Sequence, residues 1–414
     1  MRKVYKIFTV LFLITMMIGV VGKANVGKST FFKAATLAEV EIANYPFATI
    51  KPNSGVGYIK VDCADVFFKT QCNPREGFCL SHKRFIPVQM IDVAGLVPGA
   101  HEGKGMGNQF LDDLRQADVL IHVVDIAGTT NEKGEPITPG SYEPANDLKF
   151  LEEELEFWIL RLIKKGWDKL ARSVQQLQPS INKAISLHLS GLGINEKLAE
   201  AVIERLHLME KPIIEWDDED LLRIAKELRK ITKPMIVACN KIDVPGAEEN
   251  FQRIQKQFPE HILIRCSAES ELALREAAKH NLISYVPGEN NFEVKDASKL
   301  SEKQKKALDF IKANIIDKYG ATGVQSVLDK AVFDLLKYIA IFPGGVNKLS
   351  DQYGRILPDC FLMPKNTTAL DFAYKLHTDF GKNFIRAIDV KTKMAVGKEH
   401  KLKNVDVVEI VTGR

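Results

Sequence analysis

Short runs of consecutive apolar residues, each ending in polar or glycine residues, recur along the first two thirds of the chain, at about 17–22, Val88–Asp92, Val119–Asp125, Pro234–Asn240 and His261–Ser267. Continuous rather than alternating apolarity is the pattern of strands buried on both faces, so these runs predict the parallel strands of an α/β sheet. A helix is predicted from Lys28 to about Ala38. The pattern changes over 148–162, where Leu148, Leu151, Leu155, Trp158, Ile159 and Leu162 follow helical spacing and Glu152, Glu153, Glu154 and Glu156 lie mostly opposite. Two further helical stretches fall at about 193–210 and 218–231, the second behind the cap candidates Asp217 and Asp218. Residues 140–231 therefore read as a helical insertion between the third and fourth strands, with a solvated acidic side. Farther on, Ser301 and Gln304 have the spacing of a capping box. One apolar helical face runs from Val324 through Ile339, and Pro343-Gly344-Gly345 would end it. Strands at 360–364, 383–389 and 405–411 and a short helix at 369–378 then predict a compact β-rich module over 354–414.

The chain has 414 residues, enough for two to four domains, and its 45% hydrophobic and 27% charged content is that of a globular protein with ample material for more than one core. Collagen-like, wholly disordered and polytopic membrane classes are excluded. The net charge is only +4, but 354–414 carries 11 Lys and Arg against 7 Asp and Glu, so the whole surplus lies in that last module. Six cysteines are sparse for a chain of this length and predict a reducing compartment. Arg2 and Lys3 precede an apolar run from Ile7 to Ile18, which resembles a signal peptide or short anchor. That run flows into the first strand without a small-residue cleavage site. The expectation is an apolar extension over 1–16, with the natural start near Met16 or Met17, and a cytoplasmic protein rather than a membrane-tethered one.

The chemistry clusters at the strand ends. Gly22-Lys23-Ala24-Asn25-Val26-Gly27-Lys28-Ser29, followed by Thr30, fits G-x-x-x-x-G-K-S between a strand and a helix. Backbone N–H groups of such a loop solvate phosphates, Lys28 would reach the β/γ oxygens, and Ser29 would ligate Mg²⁺. Asp92-Val93-Ala94-Gly95 ends the second strand; the carboxylate can hold Mg²⁺ through water and the Gly95 N–H can meet the γ-phosphate. Asn240-Lys241-Ile242-Asp243 ends the fourth strand, where the Asp243 carboxylate can accept both N–H groups on the N1/N2 edge of guanine, a pair adenine lacks. Cys266-Ser267-Ala268 ends the fifth, where a backbone N–H could meet guanine O6. The order of these motifs predicts an α/β P-loop G domain with a mostly parallel sheet.

Asn44-Tyr45-Pro46-Phe47-Ala48-Thr49 and the glycine-rich run from Asp92-Val93-Ala94-Gly95-Leu96-Val97-Pro98-Gly99-Ala100-His101-Glu102-Gly103 to Asn108 give the chain a closer likeness. It resembles the Obg family of GTPases, nearest its YchF-like branch, from Met17 to Arg414. The resemblance implies a discontinuous G domain over 17–139 and 232–342, a helical domain inserted over 140–231, and a C-terminal TGS module, a β-grasp fold associated with RNA or the ribosome, over 354–414. It makes Thr49 the switch threonine that closes on Mg²⁺ and the γ-phosphate. YchF-type relatives often replace the guanine-reading Lys-x-Asp and accept ATP. Lys241 and Asp243 are retained here, so GTP is the expected substrate, with an ATP-preferring ATPase as the alternative. Ala24 stands where the family usually has proline.

Leu96 follows Gly95, and a leucine cannot orient water as a glutamine does, so intrinsic hydrolysis is expected to be slow, leaving open a nucleotide-gated binding module with incidental hydrolysis. Asn25 is a candidate to hold K⁺ between the phosphates, and His101 a candidate to position water. Cys63, Cys72, Cys79 and His82 form a C-x8-C-x6-C-x2-H group whose irregular spacing, without a C-x2-C knuckle, favours free thiols over Zn²⁺. In the last module Lys365, Lys375, Lys382, Arg386, Lys391, Lys393, Lys398, Lys401 and Lys403 accompany Phe361, Phe372, Tyr374, Phe380 and Phe384. With the TGS resemblance they imply ribosome or RNA contact. No DNA or membrane partner is expected, and the chain is expected to be a monomer.

Overall fold

The computed structural model describes residues 16–37, 53–93, 114–177 and 180–413. The first strand, β1 (Met17–Val21), leads through a loop to α1 (Lys28–Thr36). β2 (Ser54–Asp62), β3 (Phe78–Leu80) and β4 (Lys83–Asp92) follow, then β5 (Val119–Asp125). After a helical stretch come β6 (Met235–Asn240) and β7 (Ile262–Arg265). These form one sheet in the order β2-β4-β1-β5-β6-β7, with β3 also beside β4. From β4 to β7 all pairs are parallel, as expected from strands such as β5 and β6, in which every residue is buried. The chain leaves β1 toward β4 on one side and returns to β5 on the other. The loop after β1 therefore opens at the switch point of the sheet, where such folds bind ligands.

β2 and β3 are not foreshadowed by an apolar run. β2 runs antiparallel to β4 over its full length and is apolar only in its middle, because one side of this sheet edge is partly exposed.

Among the described residues five α-helices lie between β5 and β6: α2 (Ala145–Lys164), α3 (Trp167–Leu177), α4 (Ile181–His188), α5 (Glu196–Arg205) and α6 (Asp218–Thr232). Asp217 caps α6 in a capping box with Asp220. Trp158 is buried and Trp167 stacks on Trp216 at 5.8 Å. The helical core is continuous with Val21, Ile91 and Leu120 of the sheet. The acidic side of α2 is not simply solvated. Glu152 and Glu156 hold the buried Arg229 at 2.6 and 3.6 Å, and Glu152 also meets His261 at 3.1 Å, so two of these carboxylates fasten α2 to α6 and β7.

Between β6 and β7 lies α7 (Ala247–Gln257), and α8 (Ala268–Lys279) follows β7. A small hairpin, β8 (Ile283–Tyr285) and β9 (Phe292–Val294), precedes α9 (Glu302–Ile311), which begins at the capping box of Ser301 and Gln304. α10 (Val324–Lys330) continues as a wider turn over Ala331–Leu335 and stops there. The expected helix through Ile339 is corrected: Lys337 takes a left-handed φ of 56°, and Tyr338–Pro343 forms β10. The run Tyr-Ile-Ala-Ile-Phe is β-branched and aromatic and is buried between two strands, an environment in which helical periodicity has no bearing.

β10 belongs to a second sheet, of order β11-β10-β14-β12-β13. Its other strands are β11 (Phe361–Pro364), β12 (Phe384–Asp389), β13 (Met394–Val396) and β14 (Asp406–Thr412). α11 (Ala369–Leu376) and α12 (Thr378–Lys382) lie between β11 and β12. Phe372 of α11 is fully buried in this sheet's core against Phe361, so it is a core residue and not part of a surface for RNA. Among the described residues no helix is long and apolar enough to cross a membrane. The apolar extension falls almost wholly outside the described residues.

Asp329 of α10 accepts the Lys60 N–H of β2 at 2.7 Å and the Gln325 amide at 2.8 Å. Burial pushes its carboxyl up to about 7, and these bonds only partly oppose that. In the unfolded chain the group titrates near 3.9. The folded chain thus keeps a proton that the unfolded chain has lost, and stability falls as pH rises from about 4 to 7. Asp329→Asn keeps both acceptor contacts without the charge. It is expected to raise the urea midpoint above wild type at pH 8, with the gain vanishing toward pH 4.

Candidate functional site

The loop after β1 is shaped by two glycines. Gly22 has φ of 153° and a Cβ there would lie 2.5 Å from the Val123 carbonyl; Gly27, at φ 76°, would press 2.5 Å onto the Asn240 amide. Gly27 is followed directly by α1, so the loop N–H groups and the helix start face one space. Lys28 Nζ lies 3.8 Å from Asp92 Oδ1, and the Ser29 hydroxyl donates to Asp92 Oδ2 at 3.4 Å. The three residues expected at a phosphate and Mg²⁺ site are therefore together. Asp92 Oδ1 is buried and accepts no hydrogen bond among the described residues, and burial holds the carboxyl above its ordinary range despite Lys28 and Ser29. A hydroxyl beside an unsatisfied carboxylate oxygen is a hard-oxygen donor set that fits Mg²⁺.

Asn240 ties two loops together. Its amide donates to the Val26 carbonyl at 2.8 Å, and its Oδ1 accepts the Ala268 N–H at 2.9 Å. Lys241, at φ 63°, sends Nζ to the Asn25 carbonyl at 3.0 Å, Thr129 Oγ1 at 2.9 Å and Asp125 Oδ2 at 2.9 Å. Asp243 is on the same turn, half-exposed, and among the described residues its carboxylate meets no hydrogen-bond partner. Asn240→Ala would strand the buried Val26 carbonyl and Ala268 N–H, at about 1–3 kcal/mol each. It is expected to lower the unfolding free energy of the protein by roughly 2–6 kcal/mol, measured by denaturant titration.

Two expectations are corrected. The N–H groups of Ser267 and Ala268 are not open to a base: Ser267 donates to the Thr322 carbonyl at 2.8 Å and Ala268 to Asn240. Lys23, in the middle of the loop, turns away from the phosphate space. Its Nζ is buried against Asp147 at 2.9 Å and the Thr130 carbonyl at 3.1 Å, over the Tyr142 ring at 3.7 Å. The side chain of Lys23 thus anchors the loop to the start of α2, while its backbone remains in the loop. Asn25 has φ of 60°, and its amide donates to the Gly134 carbonyl at 2.9 Å. Thr49, Gly95 and His101, with Leu96 and the Asn44–Thr49 segment, lie outside the described residues.

Asp125 was not singled out from the sequence. It is buried at the end of β5, where its Oδ2 accepts the Thr129 N–H and hydroxyl, the Thr130 hydroxyl and Lys241. Its position at a strand's carboxyl end was the available signal. Glu271 and Arg275 also escaped notice, since nothing in the pattern of α8 marks them. They form a buried pair at 2.5 Å that also binds Thr322, Tyr285, Gln325 and the Leu37 carbonyl after α1.

A glycine-shaped loop at the switch point, joined to a strand-end carboxylate on one side and an Asn-Lys-x-Asp turn on the other, defines a P-loop nucleotide-binding domain. Residues 17–155 match the family model "50S ribosome-binding GTPase", 238–345 match "Obg-like GTPase YGR210-like, G4 motif-containing domain", and 352–412 match "TGS domain". A GTP-binding protein of Methanocaldococcus jannaschii is 51% identical, over 96% of this chain and 99% of its own length. The ribosome-binding ATPase YchF of Haemophilus ducreyi is 30% identical, over 89% and 86%. Among solved structures, a GTP-binding protein from Pyrococcus horikoshii superposes with a TM-score of 0.76 at 38% identity, covering 96% of this chain and 100% of that one. The chain belongs to the Obg family of GTPases, in its YchF-like branch, and carries a C-terminal TGS domain.

Proposed function

We propose that the chain is a Mg²⁺-dependent GTPase that hydrolyses GTP to GDP and phosphate and works in the cytoplasm as a switch on the ribosome or its RNA. The observation that carries the nucleotide assignment is the clamp of Asn240 and Lys241 between the phosphate loop and β5, with the Asp243 carboxylate on the same turn without a hydrogen-bond partner among the described residues. A free carboxylate beside a fixed Asn-Lys pair is what a guanine N1/N2 edge requires. In this reading the loop N–H groups and Lys28 bind and orient the β- and γ-phosphates, and Ser29 and Asp92 hold the metal. Mg²⁺, when bound, neutralises charge on the phosphate oxygens. Thr49 and Gly95, which lie outside the described residues, are the residues the family resemblance assigns to the γ-phosphate. Leu96 moves no proton, so water positioning falls to His101 or to charge supplied by K⁺ at Asn25. The Asn25 amide donates to the Gly134 carbonyl, and its Oδ1 is the atom that would hold K⁺.

Relatives named ATPases, such as Obg-like ATPase 1 of Rattus norvegicus at 27% identity, favour a second reading, an ATP-preferring enzyme. The intact Lys241 and Asp243 weigh against it. Ribosome binding is supported by the names of the YchF relatives and by exposed basic residues of the TGS domain, Lys382, Arg386, Lys393 and Lys401, with Tyr374 and Ile385, 48% and 62% exposed. Co-sedimentation with ribosomes in GDP and in a non-hydrolysable GTP analogue tests this. Nucleotide-dependent pelleting is expected. Equal pelleting in both states would contradict the switch and the nucleotide-gated binding module alike.

A further inference from the structure

The connection between β2 and β4 contains the group whose spacing argued against a metal. In space, Cys63, Cys72 and Cys79 converge, and the fourth member is Asp65 rather than His82: one ligand atom from each lies within 4.8 Å of every other. Cys63 Sγ is 3.4 Å from Cys72 Sγ, and Cys79 Sγ is 3.9 Å from Asp65 Oδ2. Asp65 is fully buried, as are Cys63 and Cys72 to within a few per cent. Spacing along a chain of tight turns says little about distance, so the irregular spacing does not by itself argue against a metal. Cys79 and Cys63 are brought together by the Ser81-His82 turn, whose φ values of 46° and 60° suit a two-residue hairpin, and by the Cys63 N–H bond to the His82 carbonyl.

We propose that Cys63, Cys72, Cys79 and Asp65 form a structural Zn²⁺ site. A tetrahedral centre with Zn–S bonds of about 2.3 Å places its sulfurs about 3.8 Å apart, so small shifts of the existing side chains seat the ion. The alternative uses of these groups fit less well. A disulfide needs sulfurs about 2.05 Å apart, and it would still leave Asp65 as a buried carboxylate among thiols. The outer shell that a structural metal requires is already built. His82 Nδ1 meets Asp65 Oδ1 at 3.1 Å, and the Cys72 N–H donates to Asp65 Oδ2 at 3.0 Å, fixing the carboxylate from both sides. Binding forms three Zn–S bonds and one Zn–O bond, and the displaced thiol protons leave to solvent.

The site would also have a mechanical consequence. The segment it closes is the one that grips the TGS side of the molecule. The Asn73 N–H donates to the Ile356 carbonyl and the Arg75 N–H to the Pro358 carbonyl, each at 2.9 Å. The buried Arg84, which touches Cys72 Sγ at 3.8 Å, donates to the Leu357 and Pro358 carbonyls at 3.0 and 2.9 Å. Zinc thus fixes the joint between the G-domain sheet and the second sheet.

The test uses the full chain purified with zinc and no chelator. Elemental analysis is expected to give about one zinc per chain, released by a mercurial that titrates thiols. Cys72→Ser combined with Cys79→Ser is expected to lower that content about tenfold or more, whereas Cys239→Ala in β6 leaves it unchanged. Because the double variant can misfold, the wild-type chain is also loaded with Co²⁺ alone, and the thiolate-to-cobalt charge-transfer band, abolished by added Zn²⁺, is the second readout. Wild-type protein with no bound zinc and no cobalt–thiolate band overturns the proposal, as does a Cys63–Cys72 disulfide found by mass in the freshly purified chain.

Discussion

Lys28→Ala is expected to lower the affinity for Mg²⁺-nucleotide and the hydrolysis rate together, each by about 100-fold or more. The magnitude follows from what Lys28 does. Its ammonium is 3.8 Å from Asp92, a loose pair at the mouth of the site. When phosphates enter, the same charge faces several oxygens in a space walled by buried strands, where a charge counts for far more than in water. The fold should survive, since among the described residues Asp92 is the one ion-pair partner given to this side chain. Circular dichroism and an unchanged unfolding midpoint would establish that. Wild-type binding in Lys28→Ala would mean that the loop is not the phosphate site.

Asp243→Asn is expected to change the base that is read. The wild-type carboxylate accepts two N–H groups from guanine. An asparagine there offers one acceptor and one donor, and the mismatch should reduce GTP affinity by about 100-fold or more. Xanthine carries a carbonyl where guanine has its amino group, so xanthosine triphosphate should bind the variant better than GTP does. Competition against a fluorescent nucleotide measures both. Unchanged GTP affinity would remove Asp243 from base recognition. Asn240 and Lys241 would not produce this switch, because their side chains are committed to the protein's own loops.

These two residues were legible from the sequence because motif and strand end coincide. The five parallel strands announced themselves by continuous apolarity, and the carboxylate after β4 and the Asn-Lys-x-Asp after β6 had to lie at the edge where β1 ends. The residues that hold them were less visible. Asp125 carries no motif, although it binds Lys241 and both threonines of the next loop. Lys23 sits inside the motif and yet serves Asp147 and Tyr142, because a buried carboxylate 124 positions away outcompetes the phosphate space for it. β10 was hidden by chance periodicity: Ile339 falls on the face of the preceding helix, and only the second sheet reveals that the chain has changed partners. The cysteine group was seen with His82 as its fourth member; Asp65, which the fold places beside the three sulfurs, lies two positions past Cys63 and belongs to no recognisable spacing.

The central claim is that this chain is a GTPase and not an ATPase, and steady-state turnover of the purified full chain with Mg²⁺ tests it most directly. The expected result is a kcat/KM for GTP at least about tenfold above that for ATP, with hydrolysis lost in Lys28→Ala. Equal or faster turnover of ATP would contradict it.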